Sequence, residues 1–302
     1  MNAKVVVVGS LNMDLVARAQ RLPRAGETLA GDSFFTVPGG KGANQAVAVA
    51  RLGASVAMVG NVGDDAYGQQ LRQALEGEGI DCRAVGVCEG VSSGVALITV
   101  DAASQNAIVI IAGGNGLLTP AAVQRFDSLL RNAEIIICQL EVPMATVAWT
   151  LARGHELGKT VILNPAPATG PLPAGWLVQV DYLTPNESEA QALTGLPVTD
   201  IDSARSAGER LLAMGAGKVI VTLGAQGALF VAPEGSRHFP APVVQPLDTT
   251  AAGDTFIGGF AAGLVRGLEE DEAIAFGQRA AALSVTRAGA QPSIPYLAEL
   301  LP

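Results

Sequence analysis

Short apolar runs alternate with amphipathic segments along most of the chain. The apolar runs that suit strands lie near residues 4–8, 56–60, 134–138, 160–163, 180–184 and 218–222. The amphipathic segments that suit helices lie near residues 43–52, 67–77, 119–131, 143–157, 188–194, 203–214, 254–266 and 271–286. Strands that alternate with helices usually pair in parallel, because each helix returns the chain to the same end of the sheet. The pattern therefore predicts an α/β fold with a mostly parallel central sheet flanked by helices.

Three segments interrupt this alternation. Residues 228–240 carry apolar positions around a Pro-Glu-Gly turn, which predicts an antiparallel hairpin at one edge of the sheet. Residues 14–38 and 91–112 contain short extended runs, and a polar turn joins the two runs of the second segment. We expect these two segments to form a small β-sheet that stands off the main sheet.

The first predicted strand ends in polar residues. Four consecutive valines, residues 5–8, suit a strand that is buried on both faces, and Gly9, Ser10, Asn12 and Asp14 follow them. Open α/β sheets bind ligands at the carboxyl ends of their strands. Asn12 and Asp14 would face the same side of an extended segment, where a carboxylate beside an amide can bind a vicinal diol. An Asx-type turn at the strand end is the alternative interpretation.

A glycine-rich turn precedes the first predicted helix. Residues 38–45 read P-G-G-K-G-A-N-Q, so the paired glycines allow close approach to the backbone. Lys41 and Asn44 offer hydrogen-bond donors that a polyhydroxylated substrate or a phosphate could use. The spacing differs from that of a Walker A motif. The alternative is an ordinary loop whose Lys41 points into solvent.

A second turn of small residues precedes the predicted helix near residue 254. Residues 248–256 read D-T-T-A-A-G-D-T-F, and the small side chains at 251–253 leave room for an anion. The first turn of the helix would present unpaired N–H groups to that anion. A carboxylate here repels a phosphate unless it has a proton to accept, so Asp254 could act as a general base, worth roughly 10²–10⁴ in rate. The alternative is that Asp254 merely caps the helix.

These regions, in this order and at these separations, resemble the two signature regions of the PfkB sugar kinases, and most of all the ribokinases. The resemblance spans nearly the whole chain. It also includes residues 139–141, 164–167, 184–187, 222–227 and 285–293. It implies a ribokinase-like three-layer sandwich that forms a single catalytic domain over residues 1–302, with the segments near 14–38 and 91–112 inserted in it as a lid over the sugar.

The resemblance also implies a site, residue by residue. Residue Asp254 would deprotonate the 5-hydroxyl of the sugar, and an anion hole at Ala251, Ala252 and Gly253 would hold the transferring phosphoryl group. The residues implied to bind the substrate are Asn12, Met13, Asp14, Gly40, Lys41, Gly42, Ala43, Asn44, Glu141 and Asp254. The residues implied to bind the nucleotide are Asn186, Thr222, Leu223, Gly224, Ala225, Gln226, Gly227, Gly253 and Gln278.

Two cations are implied as well. Magnesium would be organised through water near Glu189, in the N-x-x-E element that begins at Asn186. The residues implied to surround a potassium ion are Asp248, Thr250, Ser284, Arg287, Gly289 and Ser293. Glu189 could instead be a solvated helix residue, and the glycines of 222–227 could form an ordinary hairpin turn. Thr250 and Gln278 depart from the family pattern, which puts the packing beside potassium and the contacts to adenine in doubt.

The implied activity is ATP-dependent phosphorylation of D-ribose to ribose 5-phosphate, in a homodimer formed through the lid. Alternatives are another PfkB kinase that acts on deoxyribose, a nucleoside, fructose or a keto-sugar acid, and a non-catalytic sugar-binding regulator. The lid segments are poor in the aromatic residues that a nucleoside base would need. The intact Asp254 and its glycine turn argue against the regulator.

Composition limits the other functions. The formal net charge of −9 disfavours nucleic-acid binding, which requires basic patches. Hydrophobic residues make up 49% of the chain and aromatic residues only 4%, so the core should be aliphatic. The three cysteines lack a C-x-x-C spacing, and no apolar run approaches the length of a membrane span. We therefore expect a cytoplasmic protein with reduced, buried thiols.

Overall fold

Two β-sheets and a set of flanking helices make up the computed structural model, which describes residues 3–103, 105–168 and 170–300. The strands in chain order are β1 Val5–Val8, β2 Asn12–Arg18, β3 Ser33–Gly39, β4 Val56–Gly63, β5 Asp81–Cys88, β6 Gly94–Val100, β7 Asn106–Ile111, β8 Ile135–Cys138, β9 Thr160–Leu163, β10 Tyr182–Leu183, β11 Lys218–Thr222, β12 Ala228–Ala232 and β13 Gly235–Phe239. The α-helices are α1 Lys41–Arg51, α2 Ala66–Gly77, α3 Pro120–Gln124, α4 Asp127–Asn132, α5 Met144–Glu156, α6 Glu187–Thr194, α7 Ile201–Ala213, α8 Ala252–Val265 and α9 Glu270–Ser284.

The larger sheet has the order β13-β12-β11-β10-β9-β8-β1-β4-β5 in the described part of the chain. Neighbouring strands from β11 to β5 pair in parallel, and β12 and β13 pair antiparallel at one edge. This order confirms the predicted mostly parallel sheet and the predicted hairpin. The chain leaves β1 toward β4 first and later returns to β8 on its other side. In open α/β sheets, ligands bind outside the carboxyl ends of the strands, at the point where the strand order reverses in this way.

The four valines of β1 are fully buried because helices cover both faces of the sheet. Val5 and Val7 belong to a core shared with α1, α2, α8 and α9, whereas Val6 and Val8 belong to a second core shared with α3 to α7. Successive strand residues point to opposite faces, so one continuous apolar run serves both cores. The predicted three-layer sandwich is confirmed.

The smaller sheet has the order β3-β2-β6-β7 and is built from the two segments that interrupt the alternation. Strand β2 pairs antiparallel with β3 and parallel with β6, in a register that places Asn12 opposite both Gly39 and Gly94. The prediction of a separate small β-sheet is confirmed. Because only three residues separate β1 from β2, the smaller sheet begins at the carboxyl end of the central strand.

Three local predictions were wrong or incomplete. Strand β5 was not predicted, because its edge position gives it a mixed pattern of buried and exposed residues, with charged Asp81 and Arg83. The single helix expected over 119–131 is two short helices, since Thr119 caps α3 and a non-helical Phe126 separates it from α4. Helix α8 begins at Ala252, two residues earlier than expected, which changes the position of Asp254 within its first turn.

Of the helices that the structure describes, none combines the length and the hydropathy needed to cross a bilayer.

Candidate active site

The glycine-rich turn before α1 lies directly against the chain that leaves β1. Gly40 has a φ of 89°, and a Cβ atom there would lie 2.7 Å from the backbone nitrogen of Asn12. A Cβ atom at Gly42 would lie 2.6 Å from the nitrogen of Ser10. The amide of Ala43 donates to the carbonyl of Ser10 over 2.9 Å. The glycines are therefore required by backbone contact between two predicted motifs.

Glu141 joins these motifs to the end of β8. One of its carboxylate oxygens accepts a hydrogen bond from the Ser10 hydroxyl over 2.5 Å and another from the Lys41 amide over 3.2 Å. The same hydroxyl accepts from the Gly42 amide over 3.3 Å. The structure thus brings the predicted Glu141 to the predicted turn. Ser10 was not predicted as a site residue, although it lies within the motif that follows β1.

Asn12 is oriented by a residue from a distant part of the chain. The Asn115 side-chain amide donates to Asn12 Oδ1 over 2.8 Å and to the Leu11 carbonyl over 3.0 Å, and Asn115 Oδ1 accepts from the Leu11 amide over 2.9 Å. With its Oδ1 engaged, Asn12 can use Nδ2 as a donor to a ligand. Asn12 is the first residue of β2 and has an extended conformation, so the alternative of an Asx-type turn does not apply. No motif in the sequence analysis pointed to Asn115.

Asp14 lies beside Asn12 on the same face of β2 and has an unusual proton affinity. Burial, followed by the negative charges of Glu141 and Asp254, raises the pKa of its carboxyl from 3.8 to about 7. A ligand hydroxyl that donates to the carboxylate would favour its charged form. The face of the small sheet that carries Asn12 and Asp14 can therefore bind adjacent hydroxyl groups.

Asp254 is held in place by two side chains of α1. Its Oδ2 accepts from Asn44 Nδ2 over 3.0 Å, and its Oδ1 accepts from Gln45 Nε2 over 2.9 Å. Asp254 is the third residue of α8, and Ala251 occupies the N-cap position without a side-chain hydrogen bond. Asp254 therefore does not cap the helix. Gln45 was not predicted, because its role depends on a contact with a residue 209 positions away.

The charges of Asp254 and Lys41 depend on each other. Burial raises the pKa of Asp254, while the nearby Lys41 ammonium and the two amide donors oppose that rise. Burial also disfavours the ammonium of Lys41, but the carboxylates of Asp254, Glu141 and Glu189 outweigh this effect and raise its pKa. Lys41 stays charged and faces the site, so the solvent-exposed loop alternative does not hold.

A cavity of about 200 Å³ opens at the start of α8. Ala251 has a φ of 59° and is the one non-glycine residue with positive φ in the described ranges, and this conformation turns the chain into the helix. A Cβ atom at Gly253 would meet no atom within 4 Å, so the helix start is open to a ligand. The residues that line the cavity are Lys41, Asn164, Ala166, Thr184, Asn186, Glu189, Thr222, Thr249, Ala251, Ala252, Gly253, Asp254 and Ile257.

Asn186 and Glu189 line this cavity and also start α6. The Asn186 side chain accepts from the Glu189 amide over 2.8 Å, and the Glu189 carboxylate accepts from the Asn186 amide over 2.9 Å. This capping box fixes both side chains at the carboxyl end of β10. One Glu189 oxygen is used in the cap, and burial raises the pKa of the carboxyl. Glu189 is thus half-buried at a cavity rather than a solvated helix residue.

The predicted nucleotide loop has the geometry of a hairpin connection. Residues 223–227 join β11 to β12, and the Leu223 amide donates to the Gly227 carbonyl over 2.8 Å. Of the loop 222–227, Thr222 lines the cavity. The Gln278 amide is buried and donates to the Phe239 carbonyl over 2.7 Å, close to Gly227. The structure therefore gathers Gly227 and Gln278 at the hairpin end of the site.

Part of the predicted potassium set converges on one carboxylate. Asp248 accepts hydrogen bonds from the Gly289 amide over 2.8 Å and from the Thr250 amide over 2.9 Å and hydroxyl over 2.6 Å. The Ser284 and Ser293 hydroxyls each donate to a backbone carbonyl nearby, and Arg287 pairs with Glu299. Within the described residues no cluster of three His, Cys, Asp or Glu side chains is suited to a metal ion.

Comparison with known proteins agrees with this arrangement. The model of the pfkB family of carbohydrate kinases matches residues 2–297. The chain belongs to the pfkB family of carbohydrate kinases.

Relatives within the pfkB family match the chain over its full length. A ribokinase from Haemophilus influenzae is 42% identical over 302 residues, which is 100% of this chain and 98% of the relative. A deoxyribokinase from Salmonella typhimurium is 40% identical and covers 97% of this chain and 96% of the relative. The structure of Arabidopsis thaliana ribokinase complexed with ribose and ATP has a TM-score of 0.93 at 33% identity, and covers 99% of this chain and 98% of that chain. The resemblance to the pfkB kinases and to ribokinases is confirmed.

The raised pKa of Asp14 gives a prediction about stability in this pfkB kinase. The folded protein disfavours the charged carboxyl, so the contribution of Asp14 to stability is lost as the pH rises from 3.8 through about 7. We expect the ligand-free Asp14→Asn variant to have a higher free energy of unfolding than the wild type at pH 8, by at most about 4 kcal/mol. The difference should shrink toward pH 4. Urea unfolding across this pH range measures it.

The control for this prediction is Asp202→Asn, which changes a carboxylate whose side chain is 87% exposed on α7. Its effect on the free energy of unfolding should be small at every pH. A difference between Asp14→Asn and the wild type that stays constant from pH 4 to pH 8 would contradict the assigned cause.

Proposed function

We propose that this protein is an ATP-dependent sugar kinase that phosphorylates the 5-hydroxyl of D-ribose to give ribose 5-phosphate. The observation that carries the proposal is Asp254, a buried carboxylate held by two amides at the start of α8, beside Lys41 and an open helix end. The ribokinase and deoxyribokinase relatives support the reaction class. The Arabidopsis thaliana ribokinase is complexed with ribose and ATP, which supports ATP as the phosphate donor here.

Asp254 would act as the general base. The sugar 5-hydroxyl would donate its hydrogen bond to the carboxylate and lose its proton to it as the oxygen attacks the γ-phosphorus of ATP. The bond from phosphorus to the β-γ bridging oxygen breaks, and ADP leaves. The amides of Asn44 and Gln45 fix the carboxylate in the direction of the attacking hydroxyl.

The transferring phosphoryl group would rest at the start of α8. The turn formed by Ala251, Ala252 and Gly253 lines the cavity, and Lys41 lies at its edge. The positive end of the helix dipole and the Lys41 ammonium would stabilise the negative charge on the phosphoryl oxygens. The remaining nucleotide contacts would come from Asn186, the loop 222–227 and Gln278.

The sugar would be held between the small sheet and the glycine-rich turn. Asn12 and Asp14 can bind neighbouring hydroxyls, and Lys41, Asn44 and Glu141 surround the same space. The 2- and 3-hydroxyls of ribose form the vicinal diol that such a pair suits. The remaining predicted contacts are those of Met13, Gly40, Gly42 and Ala43. The whole chain would act as one catalytic unit, with the small sheet closing over the sugar to exclude water.

A second candidate substrate is 2-deoxy-D-ribose, because a deoxyribokinase is 40% identical to this chain. Deoxyribose would occupy the same site but leave one polar partner of the Asn12 and Asp14 pair unused. A buried carboxylate without a hydrogen-bond donor lowers affinity. Ribose is therefore the better match to this site.

Magnesium fits the cavity through Glu189 and Asn186. The Glu189 carboxylate lines the cavity and would organise Mg²⁺ through water, since this ion usually keeps several waters beside its carboxylate and phosphate contacts. The ion would neutralise charge on the phosphates of ATP. Potassium would lie near Asp248, with backbone carbonyl oxygens as most of its ligands. The Asp248 carboxylate, which accepts from the Thr250 and Gly289 amides, fixes the turn there. The remaining proposed neighbours are Ser284, Arg287 and Ser293.

The protein is proposed to work in the cytoplasm as a homodimer. Cys82 and Cys138 are buried free thiols and Cys88 is a half-buried one, as suits a reducing compartment. One face of the small sheet exposes the side chains of Phe34, Leu97 and Val109. Asp14 lies on the opposite face. The same face of a second copy would cover these apolar side chains.

Replacing the base tests the mechanism. In the Asp254→Asn variant the new amide oxygen still accepts from Gln45, and Asn44 can turn its side-chain oxygen, which has no hydrogen-bond partner in the described residues, toward the new NH₂ group. The fold and ribose binding should therefore persist. We expect kcat to fall by roughly 10²–10⁴, because the side chain can no longer accept a proton. ADP release with ribose measures kcat, and calorimetric titration measures ribose binding. Turnover close to that of the wild type would refute the role, and Asp202→Asn is the matched control.

The choice of sugar is tested with a panel of substrates. We expect kcat/KM for D-ribose to exceed that for 2-deoxy-D-ribose by about 10- to 100-fold. The loss of one hydrogen bond to a charged group has an effect of this size. Fructose and adenosine should be poorer still. A higher kcat/KM for 2-deoxy-D-ribose would make it the substrate instead, and assays with and without potassium test the proposed cation.

The dimer is tested by sedimentation. We expect a dimer at micromolar concentration, and we expect Val109→Lys to shift it toward monomer because the substitution places charge on the shared apolar face. Val243→Lys is the control, since Val243 is also an exposed valine but lies in the connection between β13 and α8. A monomeric wild type, or equal effects of both variants, would contradict the proposed interface.

A further inference from the structure

A chain of buried amide groups lies beneath Asp254. Gln139 Nε2 donates to Gln45 Oε1 over 2.6 Å, and Gln45 Nε2 donates to Asp254 Oδ1 over 2.9 Å. Gln45 Nε2 also donates to Asn164 Oδ1 over 3.3 Å, and Asn164 Nδ2 donates to the Thr184 carbonyl over 3.2 Å. Gln45 and Gln139 are fully buried. The chain joins the carboxyl ends of β8, β9 and β10 to the proposed base.

The direction of every amide in this chain is determined by its neighbours. A carboxylate can only accept, so Gln45 must present its Nε2 to Asp254. The donation from Gln139 occupies Gln45 Oε1 and keeps that oxygen away from the carboxylate. At the other end, the Thr184 carbonyl can only accept, which turns Asn164 Oδ1 toward Gln45. Reversal of one amide would place two acceptors against each other.

Stability alone does not favour Gln139 at this position. Its Oε1 has no hydrogen-bond partner in the described part of the chain. A Cβ atom at position 9 would lie 1.9 Å from this oxygen, so Gly9 is needed to make room for the side chain. A buried acceptor without a partner is unfavourable. A residue that serves only packing could be apolar here, whereas Gln139 supplies the one donor that Gln45 requires.

We propose that Gln45 is the positioning residue for the general base Asp254 and that Gln139 fixes the direction of the Gln45 amide. The inference rests on the proposed kinase function. Gln45 holds Oδ1, the oxygen that Asn44 does not hold, so loss of Gln45 frees the carboxylate to rotate about its last bond. It also removes a donor that favours the charged carboxylate, so the base becomes protonated at a higher pH.

The test compares variants that remove or reverse the amide direction. Gln45→Met and Gln139→Met remove a donor at nearly constant volume. Gln139→Glu places a carboxylate that can only accept when ionised, so Gln45 must turn its Nε2 toward position 139 and its Oε1 toward Asp254. We expect kcat to fall about 10- to 100-fold in Gln45→Met, by less in Gln139→Met, and by most in Gln139→Glu above neutral pH.

Two further measurements separate positioning from a structural role. The KM for ribose should change less than about threefold, and the acidic limb of the pH profile of kcat should move to higher pH in all three variants. Carboxyl ¹³C NMR titration, assigned with Asp254→Asn, should show the same upward change in the pKa of Asp254. The control is Thr150→Val, which removes a buried hydroxyl from α5. It should lower the melting temperature without moving the acidic limb.

The outcomes are distinct. An unmoved acidic limb and NMR titration, with lowered thermal stability alone, would overturn the positioning role. If Gln45→Met does not fold, the two Gln139 variants decide the question by the same measurements. If the wild type phosphorylates no sugar, the proposed function fails, while the NMR titration still shows whether Gln45 and Gln139 control the proton affinity of Asp254.

Discussion

The site depends on how closely helix α8 crosses helix α1. At Gly258 the two helices approach so tightly that a Cβ atom would lie 2.4 Å from Ala48 Cβ and 2.8 Å from the Gln45 carbonyl oxygen. Asp254 lies one turn before Gly258 on α8, so this crossing delivers its carboxylate to Asn44 and Gln45. The same contact aims the open start of α8 into the cavity beside Lys41. A residue without a side chain at the crossing thus sets the distance between base, lysine and anion-binding turn.

Electrostatics then determines what can occupy the space. Burial, and after it the negative charges of Glu141 and Asp254, raises the pKa of Asp14 to about 7, while the carboxylates of Asp254, Glu141 and Glu189 keep the Lys41 ammonium charged. Such an arrangement suits a neutral ligand with several hydroxyl donors, which stabilises the carboxylates without adding charge. The cavity on the other side of Asp254, lined by the start of α8 and by Lys41, has the donors and positive charge that suit an anion. Under the proposed function, the sugar would bind on one side of Asp254 and the phosphates of ATP on the other.

The sequence allowed prediction of the parallel sheet, the separate small sheet and the motifs of the site, because each leaves a local pattern. The valine run predicted β1, and the glycine turns predicted that helices α1 and α8 follow them, within about two residues of where they begin. The remaining site residues could not be predicted, because their roles depend on distant contacts. Asn115 reaches Leu11 and Asn12 across about one hundred positions, and Gln139 reaches Gln45 across 94. The edge strand β5 was missed since one exposed edge gives no clear alternation.

The most direct test of this account is a crystal structure with ribose and a non-hydrolysable ATP analogue. The account predicts that an Asp254 carboxylate oxygen lies within hydrogen-bond distance, about 2.6–3.2 Å, of the ribose 5-hydroxyl. The γ-phosphate should lie over residues 251–253 in line with that hydroxyl. A complex in which the 5-hydroxyl binds elsewhere and Asp254 contacts neither ligand would contradict the central claim.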